Sequence, residues 1–354
     1  VIARKFAELL LAALIGLAAA PADAAEKPKF LFIGDMPYYD KFMKDEMKLR
    51  QFPRLKDVIA PEIVKPKYGF SFLVHYGDFK GKGVPCSEEV FRDAYKKING
   101  LLAGSGPVFY TPGDNDWTDC DTPNDLNPKR KMVKAYSELS RLDLLRQIFF
   151  IEKPIELPEK WQYQRQPGYP ENARWRSDNV QFATLHIVGT NNGRIKIKLD
   201  DEAFARARVD ARDQANLDWL EIVFAQARTE NNTADAVIIT IQADITKPEG
   251  KGACTDGNPG YCHAFDEFIA ALISHAGSFK KPVLLVHGDE RPYCLDKKFG
   301  GKSALNLWRL NAGGDYWYPL DATVVTFNVG DAADPFSANG LVDKTKEPEV
   351  GCAD

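Results

Sequence analysis

The sequence predicts an α/β fold with helices flanking a sheet, and two observations carry that expectation. Short apolar runs alternate with charged, periodic stretches through most of the 354 residues. Four of the runs stop at or beside a Gly-Asp pair: FLFIGDMPYYD, FLVHYGDFK, VFYTPGDNDW and VLLVHGDER. A strand that stops at glycine lets the chain turn sharply and aims the next carboxylate off the sheet edge.

Taken in order, Lys29 to Gly34 reads as a buried strand, short, apolar and stopped by glycine. Tyr39 to Leu49 is charged and periodic enough for a helix. Phe70 to Tyr76 is a second strand, Ser87 to Leu102 a helix with Ser87 as N-cap, and Pro107 to Thr111 a third strand. Lys131 to Phe150 reads as a helix with Leu139, Leu142, Leu145 and Phe149 on one face. Glu152 to Asn172, with its prolines and aromatics, reads as irregular, and the sheet resumes at Val180 to Val188. Asp210 to Arg228 is the clearest amphipathic helix. Ala236 to Gln242 is a strand, His263 to His275 a helix and Pro282 to His287 a strand. Leu307 to Leu310 and Ala322 to Val329 close the sheet, and the tail from Ser337 reads as loop.

Residues 1–24 read as a signal peptide. Arg4 and Lys5 precede the apolar run Leu9 to Ala20, and Ala22-Asp23-Ala24 supplies small residues at a cleavage point. That run is shorter than the ~20 residues a membrane span needs. The expectation is therefore an exported protein, periplasmic or secreted, with one domain over 25–354 and an irregular insertion near 151–178. Hydrophobic residues at 44% and aromatics at 11% are ample for a packed core. A formal net charge of −4 with no long basic run argues against nucleic-acid binding, though not against a small phosphorylated substrate held by a metal.

Six cysteines fit an oxidising compartment and permit full pairing. Cys254 and Cys262 bracket a short polar excursion. Cys86 and Cys120 each follow a Gly-Asp loop, and these loops belong at one sheet edge. Cys294 is left with Cys352 near the C-terminus. No C-x-x-C spacing supports a zinc cluster.

If the four strand ends meet, Asp35, Asp78, Asp114 and Asp289 gather around one point. Like charges that close repel strongly and need a cation between them. The residues thus predict a divalent-metal site.

The ordered segments GD, GD, PGDND, a late strand ending in a polar residue, and HGD resemble the calcineurin-like metallophosphoesterase superfamily across roughly residues 29–330. FIGDMPY, PGDNDWTDC, QADI and PVLLVHGD look like an exported bacterial branch of it. The resemblance implies a four-layer αββα sandwich with a two-metal site on the loops at the strand ends. It also implies hydrolysis of phosphate esters by metal-activated water.

Carried over residue by residue, the match is partial. Asp35 stands in the first motif, but Pro37 takes its histidine position. Gly77-Asp78 is intact, and Asp78 is the metal-bridging acid. The equal-length match puts Asp114 at the asparagine ligand position and Asn115 at the histidine that assists leaving-group departure. A one-residue slip makes Asn115 the ligand instead, and both alignments stay open. Gln242 occupies the place of a late-strand histidine, and Gly288-Asp289-Glu290-Arg291 the place of Gly-His-x-His. His75, His186, His263, His275 and His287 all lie off the ligand positions.

Asp35, Asp78, Asp114, Gln242 and Asp289 therefore form an oxygen-only set, which suits Mg²⁺, Mn²⁺ or Ca²⁺ better than Zn²⁺. Arg291 stands where it can clamp a phosphate in place of a second metal. Two functions follow from these residues. One is an exported metal-dependent phosphoesterase acting on mono- or diesters, with Asn115 and Arg291 in catalytic roles. The other is a catalytically inactive relative that binds a ligand or envelope partner through the same cleft.

Overall fold

In the computed structural model the residues described are 27–38, 51–82, 84–121, 134–230, 233–289, 292–313 and 320–352. The signal-peptide reading, the helix expected over Tyr39 to Leu49, and Arg291 lie outside them. Among the described residues, thirteen strands build two sheets. The first takes β1 (Lys29–Ile33), β2 (Leu73–His75), β3 (Val108–Tyr110), β11 (Thr323–Phe327) and β12 (Phe336–Gly340), in the order β12-β11-β1-β2-β3. The second takes β4 (Gln164–Gln166), β5 (Tyr169–Ser177), β6 (Val180–Thr184), β7 (Ala236–Thr240), β8 (Val283–His287), β9 (Cys294–Asp296), β10 (Leu307–Asn311) and β13 (Glu349–Val350), in the order β13-β9-β10-β8-β7-β6-β5-β4. In their centres β1, β2 and β3 run parallel, as do β6, β7, β8 and β10.

The strands are apolar on both faces because each sheet is covered on both. In β1, Phe30 and Phe32 face the other sheet and, with Phe72 and Val74 of their own sheet, pack against its Trp175, Phe182 and Ile238. Leu31 and Ile33 point the other way, against Val90, Phe91 and Ile98 of helix α1 (Glu88–Leu102). Across the second sheet, Ala183, Ile239 and Leu285 pack on Trp219 and Phe224 of α3 (Glu202–Ala227) and on Phe268 and Leu272 of α4 (Asp266–Phe279). Helix α2 (Glu138–Arg146) lies between α1 and α3 in sequence and runs on into wide π-type turns over Gln147–Ile151. Three apolar layers between four structural ones make the αββα sandwich. Ser87 caps α1 through a hydrogen bond from the Val90 N–H.

Several elements depart from the sequence reading. The stretch read as an irregular insertion forms the edge strands β4 and β5, with Arg174 opposite Ala183 of β6. The tail read as loop supplies β12 and β13, because β11 and β9 offer open edges to it. Long α3 begins eight residues ahead of the predicted Asp210, capped by Asp201, since its first turns are charged rather than apolar. The Asn191-Asn192-Gly193 segment forms a left-handed turn, with Thr190, Asn191 and Asn192 at φ of 54°, 50° and 58°. Trp161, Tyr163 and Trp175 pack in the inter-sheet core, where the Trp175 ring stacks on Phe109. The expected cysteine pairs all form: Cys86–Cys120, Cys254–Cys262 and Cys294–Cys352.

Candidate metal centre

Asp35, Asp78, Asp114, Gln242 and Asp289 all lie just beyond the C-terminal ends of parallel strands, namely β1, β2, β3, β7 and β8. That edge of an open parallel sheet is where α/β proteins build sites. Asp35, Asp78 and Asp289 also share a backbone habit. Each directly follows glycine and sits in the left-handed region, at φ of 51°, 58° and 74°. Such conformations cost a non-glycine residue free energy and cluster at functional positions.

Close backbone approach explains two of the glycines. Gly77 lies at φ 90°, and a Cβ there would meet the Gly113 backbone nitrogen at 2.3 Å. A Cβ on Gly288 would reach Asp35 Oδ2 at 2.6 Å. A larger residue at either place would drive the acidic loops apart.

Carboxylate oxygens of Asp78, Asp114 and Asp289 all lie within 4.8 Å of one another. Ligands on opposite sides of a hard cation at ~2.1–2.4 Å are about 4.2–4.8 Å apart, so this set fits one such ion. Burial above all, then the charges of Asp114, Asp116, Asp35 and Asp289, pushes the Asp78 carboxyl well above the usual carboxylate range. A cation bound there would offset that shift by favouring the ionised carboxylates. Asp35 is buried beside the set and accepts the Asp289 N–H at 3.3 Å, while its own N–H donates to the Gly77 carbonyl at 3.0 Å. It is not within the close group itself. No histidine joins the group among the described residues.

Two amides, Gln242 in the place of the late-strand histidine and Asn115, which only the equal-length match puts at a histidine position, both face Asp78. Asn115 Nδ2 donates to Asp78 Oδ2 at 3.1 Å and its backbone N–H to Oδ1 at 3.1 Å. Gln242 Nε2 donates to Asp78 Oδ2 and to Asp114 Oδ1, each at 3.2 Å. Its Oε1 accepts the Gly189 N–H at 2.8 Å, which fixes the amide with nitrogen toward the acids. Gln242, expected as a ligand, is in this arrangement a donor, because its one carbonyl oxygen is engaged elsewhere.

Residues that sequence reasoning passed over hold the loops in place. Asp116 accepts four hydrogen bonds, from the N–H groups of Asp78 (3.0 Å), Phe79 (2.9 Å) and Gly113 (2.8 Å) and from the Tyr110 hydroxyl (2.6 Å). It welds the second acidic loop to the third. Its closeness to Asp114 in the GDND motif was the available signal. Thr190, in the left-handed turn, donates to Asp114 Oδ2 at 2.6 Å. His75 bonds the Met36 carbonyl through Nε2 at 2.7 Å and accepts the Gly77 N–H on Nδ1 at 3.1 Å. Burial brings its pKa down to about 4, so it is a neutral buckle between the first two acidic loops rather than a ligand.

His287 is likewise buried and brought down to about 4 by burial, with Nδ1 against the Gly288 carbonyl. The other close set of potential ligands, Cys86, Asp119 and Cys120, offers no thiolate, since its sulfurs form a disulfide. Asp119 there pairs with the fully buried Lys80 at 2.8 Å.

The acid cluster opens into a cleft of about 180 Å³. Asp114, Asn115 and Asp289 form its floor, with Lys82, Lys196 and Lys247 around it. Its size suits a phosphoryl group and a modest leaving group; Asp119, Asp244 and Glu249 line it as well, with Lys196 paired to Glu249 and Lys247 to Asp244, so its overall charge favours a bound cation before an anion.

The family profile for calcineurin-like phosphoesterases matches residues 28–240 of this sequence. The chain belongs to that family. Membership places it among the metal-dependent phosphoesterases, whose members bind divalent cations. Among solved structures, a dimetal phosphatase from Danio rerio is similar over 89% of this chain and 96% of its own, at 13% identity and a TM-score of 0.51. That likeness supports the sandwich fold. The structure of PhoD is similar over 92% of this chain and 72% of its own, at 13% identity and a TM-score of 0.48. No curated protein sequence gives a match. No helix among the described residues is long and apolar enough to cross a membrane.

Proposed function

We infer that this calcineurin-like protein is an exported phosphoesterase with an all-oxygen metal site holding one hard divalent cation. The observation that carries the reading is the Asp78, Asp114 and Asp289 oxygens within 4.8 Å of one another at the strand ends. These three residues would hold Mg²⁺, Mn²⁺ or Ca²⁺, for which oxygen donors are better suited than for Zn²⁺. When bound, such an ion polarises phosphoryl oxygen and lowers the pKa of water.

The remaining work falls to the chain. Asp35 holds the Asp289 loop through its backbone N–H. Gln242 and Thr190 orient Asp78 and Asp114. Asn115 stands at the cleft, where its amide is placed to donate to a phosphoryl or leaving-group oxygen; Arg291 is assigned from sequence position as the phosphate clamp. An amide offers no acidic proton, so esters with good leaving groups should be the better substrates. The basic, apolar and small-residue order of the N-terminus supports export, as do the disulfides.

One observation favours a second reading, an inactive relative that binds a ligand or envelope partner. The two side-chain amides and the Asn115 backbone N–H already give Asp78 three hydrogen bonds, a partial substitute for cationic charge.

Metal content and activity on p-nitrophenyl phosphate and bis-p-nitrophenyl phosphate, measured across Mg²⁺, Mn²⁺, Ca²⁺ and Zn²⁺, test the first reading. Wild-type protein should take up one equivalent of a hard cation and hydrolyse at least one ester, and Asp78→Asn should do neither. Equal background rates in both proteins would leave the binding function.

A further inference from the structure

The buried guanidiniums of this protein are nearly all matched by carboxylates. Arg146 pairs with Glu171, Arg194 with Asp210 and Asp213, and Arg309 with Asp244. Arg212 lies in the field of Asp213 and Glu171, and Arg176 in that of Asp235. Arg174 differs. It is 6% exposed, and its partners among the described residues are neutral: Gln164 Oε1 at 2.6 Å and the Gln162 carbonyl at 3.4 Å. Its Nε has no hydrogen-bond partner. Burial lowers its pKa and no carboxylate acts in the opposite sense. A guanidinium withdrawn from water with no counter-charge is costly, and an arriving anion would relieve that cost.

Where Arg174 sits gives the anion room. In β5, Arg174 and Arg176 share a face, because Trp175 between them turns into the inter-sheet core. That face borders a pocket of about 450 Å³. Leu157, Pro158 and Tyr163 form one wall, and Gln226 and Thr229, at the end of α3, form another. Glu159 is the one carboxylate lining it; it is exposed at the rim and forms no ion pair with Arg174. The pocket lies at the β4 edge of the second sheet, whereas the acid cluster lies beyond the ends of β7 and β8.

We propose that this pocket is a second binding site, separate from the metal centre, for a small organic anion. A carboxylate or phosphate head would sit on Arg174 with Arg176 beside it, and an apolar or aromatic body would lie against Leu157, Pro158 and Tyr163. The planar fork of arginine matches both head groups, and their shared chemistry is a delocalised oxyanion. The volume is that of a small-molecule site rather than of a single ion.

Calorimetric titration of the full chain tests this, with benzoate for the carboxylate head, phenylphosphonate for the phosphate head, and neutral benzamide as the control. At least one anion should bind while benzamide does not, and the tighter of the two names the head group. Arg174→Met should weaken that binding by about tenfold or more, as loss of a charge-assisted contact does. Thr229→Asp, at an exposed position on the pocket wall, should weaken it comparably by opposing charge, with no demand on the buried strand. Asp78→Asn should leave it intact. Failure of both anions to bind wild-type protein at 10 mM (about the weakest affinity worth calling a site), equal binding of benzamide, or undiminished binding in both pocket variants would overturn the proposal. So would loss of binding in Asp78→Asn, which would locate the anion at the metal centre.

Discussion

Replacing His75 by glutamine separates the two things its imidazole does. The ring ties the Met36 carbonyl to the Gly77 N–H, and so the Asp35 loop to the Asp78 loop, and it does so only when neutral. Burial holds its folded pKa at about 4, below the ordinary 6.5. Between those values the unfolded chain takes up a proton that the folded one refuses, so stability falls as pH drops from about 6.5 and stops falling below about 4. The gap of about 2.5 pH, at ~1.4 kcal/mol for each, amounts to about 3.5 kcal/mol in all, of which about 3 kcal/mol is lost between pH 7 and pH 4.

Glutamine can donate from Nε2 to Met36 and accept from Gly77 on Oε1, but it does not titrate. Urea unfolding of wild type and His75→Gln at intervals from pH 7 to pH 4 should give a variant whose stability declines less, by about 3 kcal/mol over the range. His186 and His287, also held at about 4, contribute equally to both proteins and leave a residual slope. Superimposable pH profiles would refute the buckle. His75→Leu should behave differently again, leaving the Gly77 N–H without an acceptor and reducing cation affinity through the displaced Asp78.

Other expectations follow from the same contacts. Asp116→Asn keeps one acceptor oxygen but sets an NH₂ group against buried donors, so unfolding should become easier by about 2–4 kcal/mol, with weakened metal uptake. A change below ~0.5 kcal/mol in urea would show that Asp116 does not hold the loops. Asn115→His introduces an imidazole where the equal-length family match has one. Rates on alkyl phosphates should rise by about tenfold or more while p-nitrophenyl phosphate changes little, and a uniform change across leaving groups would argue against a proton-donating position. Loss of the Cys86–Cys120 bridge, which closes a 34-residue separation, should cost about 3–4 kcal/mol by loop entropy, read from denaturation of Cys86→Ala/Cys120→Ala.

Much of the fold was legible because its signals are local. Continuous apolar runs such as FLFI and VLLV mark strands buried on both faces, and glycine at their ends marks the turns. The Cys86–Cys120 pair followed from which loops share an edge, Cys254–Cys262 from the short excursion between them, and Cys294–Cys352 from what remained. The errors also have local causes. Edge strands β4 and β5 are rich in Gln, Arg and proline-flanked aromatics, so their strand character comes from pairing with β6 rather than from propensity. In β12, FSANG carries little intrinsic preference and is a strand because β11 presents it with open backbone groups.

The identity of the acids at Asp35, Asp78, Asp114 and Asp289, and their arrival at one sheet edge, were written in the order of residues along the chain, since a strand stopped by glycine has few directions in which to send the next side chain. Which way the neighbouring amides turn was not. Gln242 reads in sequence as a metal ligand. It became a donor because the Gly189 N–H, 53 positions away, claims its oxygen. Asp116, passed over in the sequence, took the structural role because four donors from three loops and strands converge on it. The unmatched charge of Arg174 belongs to the same class of fact. Electrostatic energy depends on what lies within a few ångströms, and that neighbourhood comes into being only when distant segments have packed.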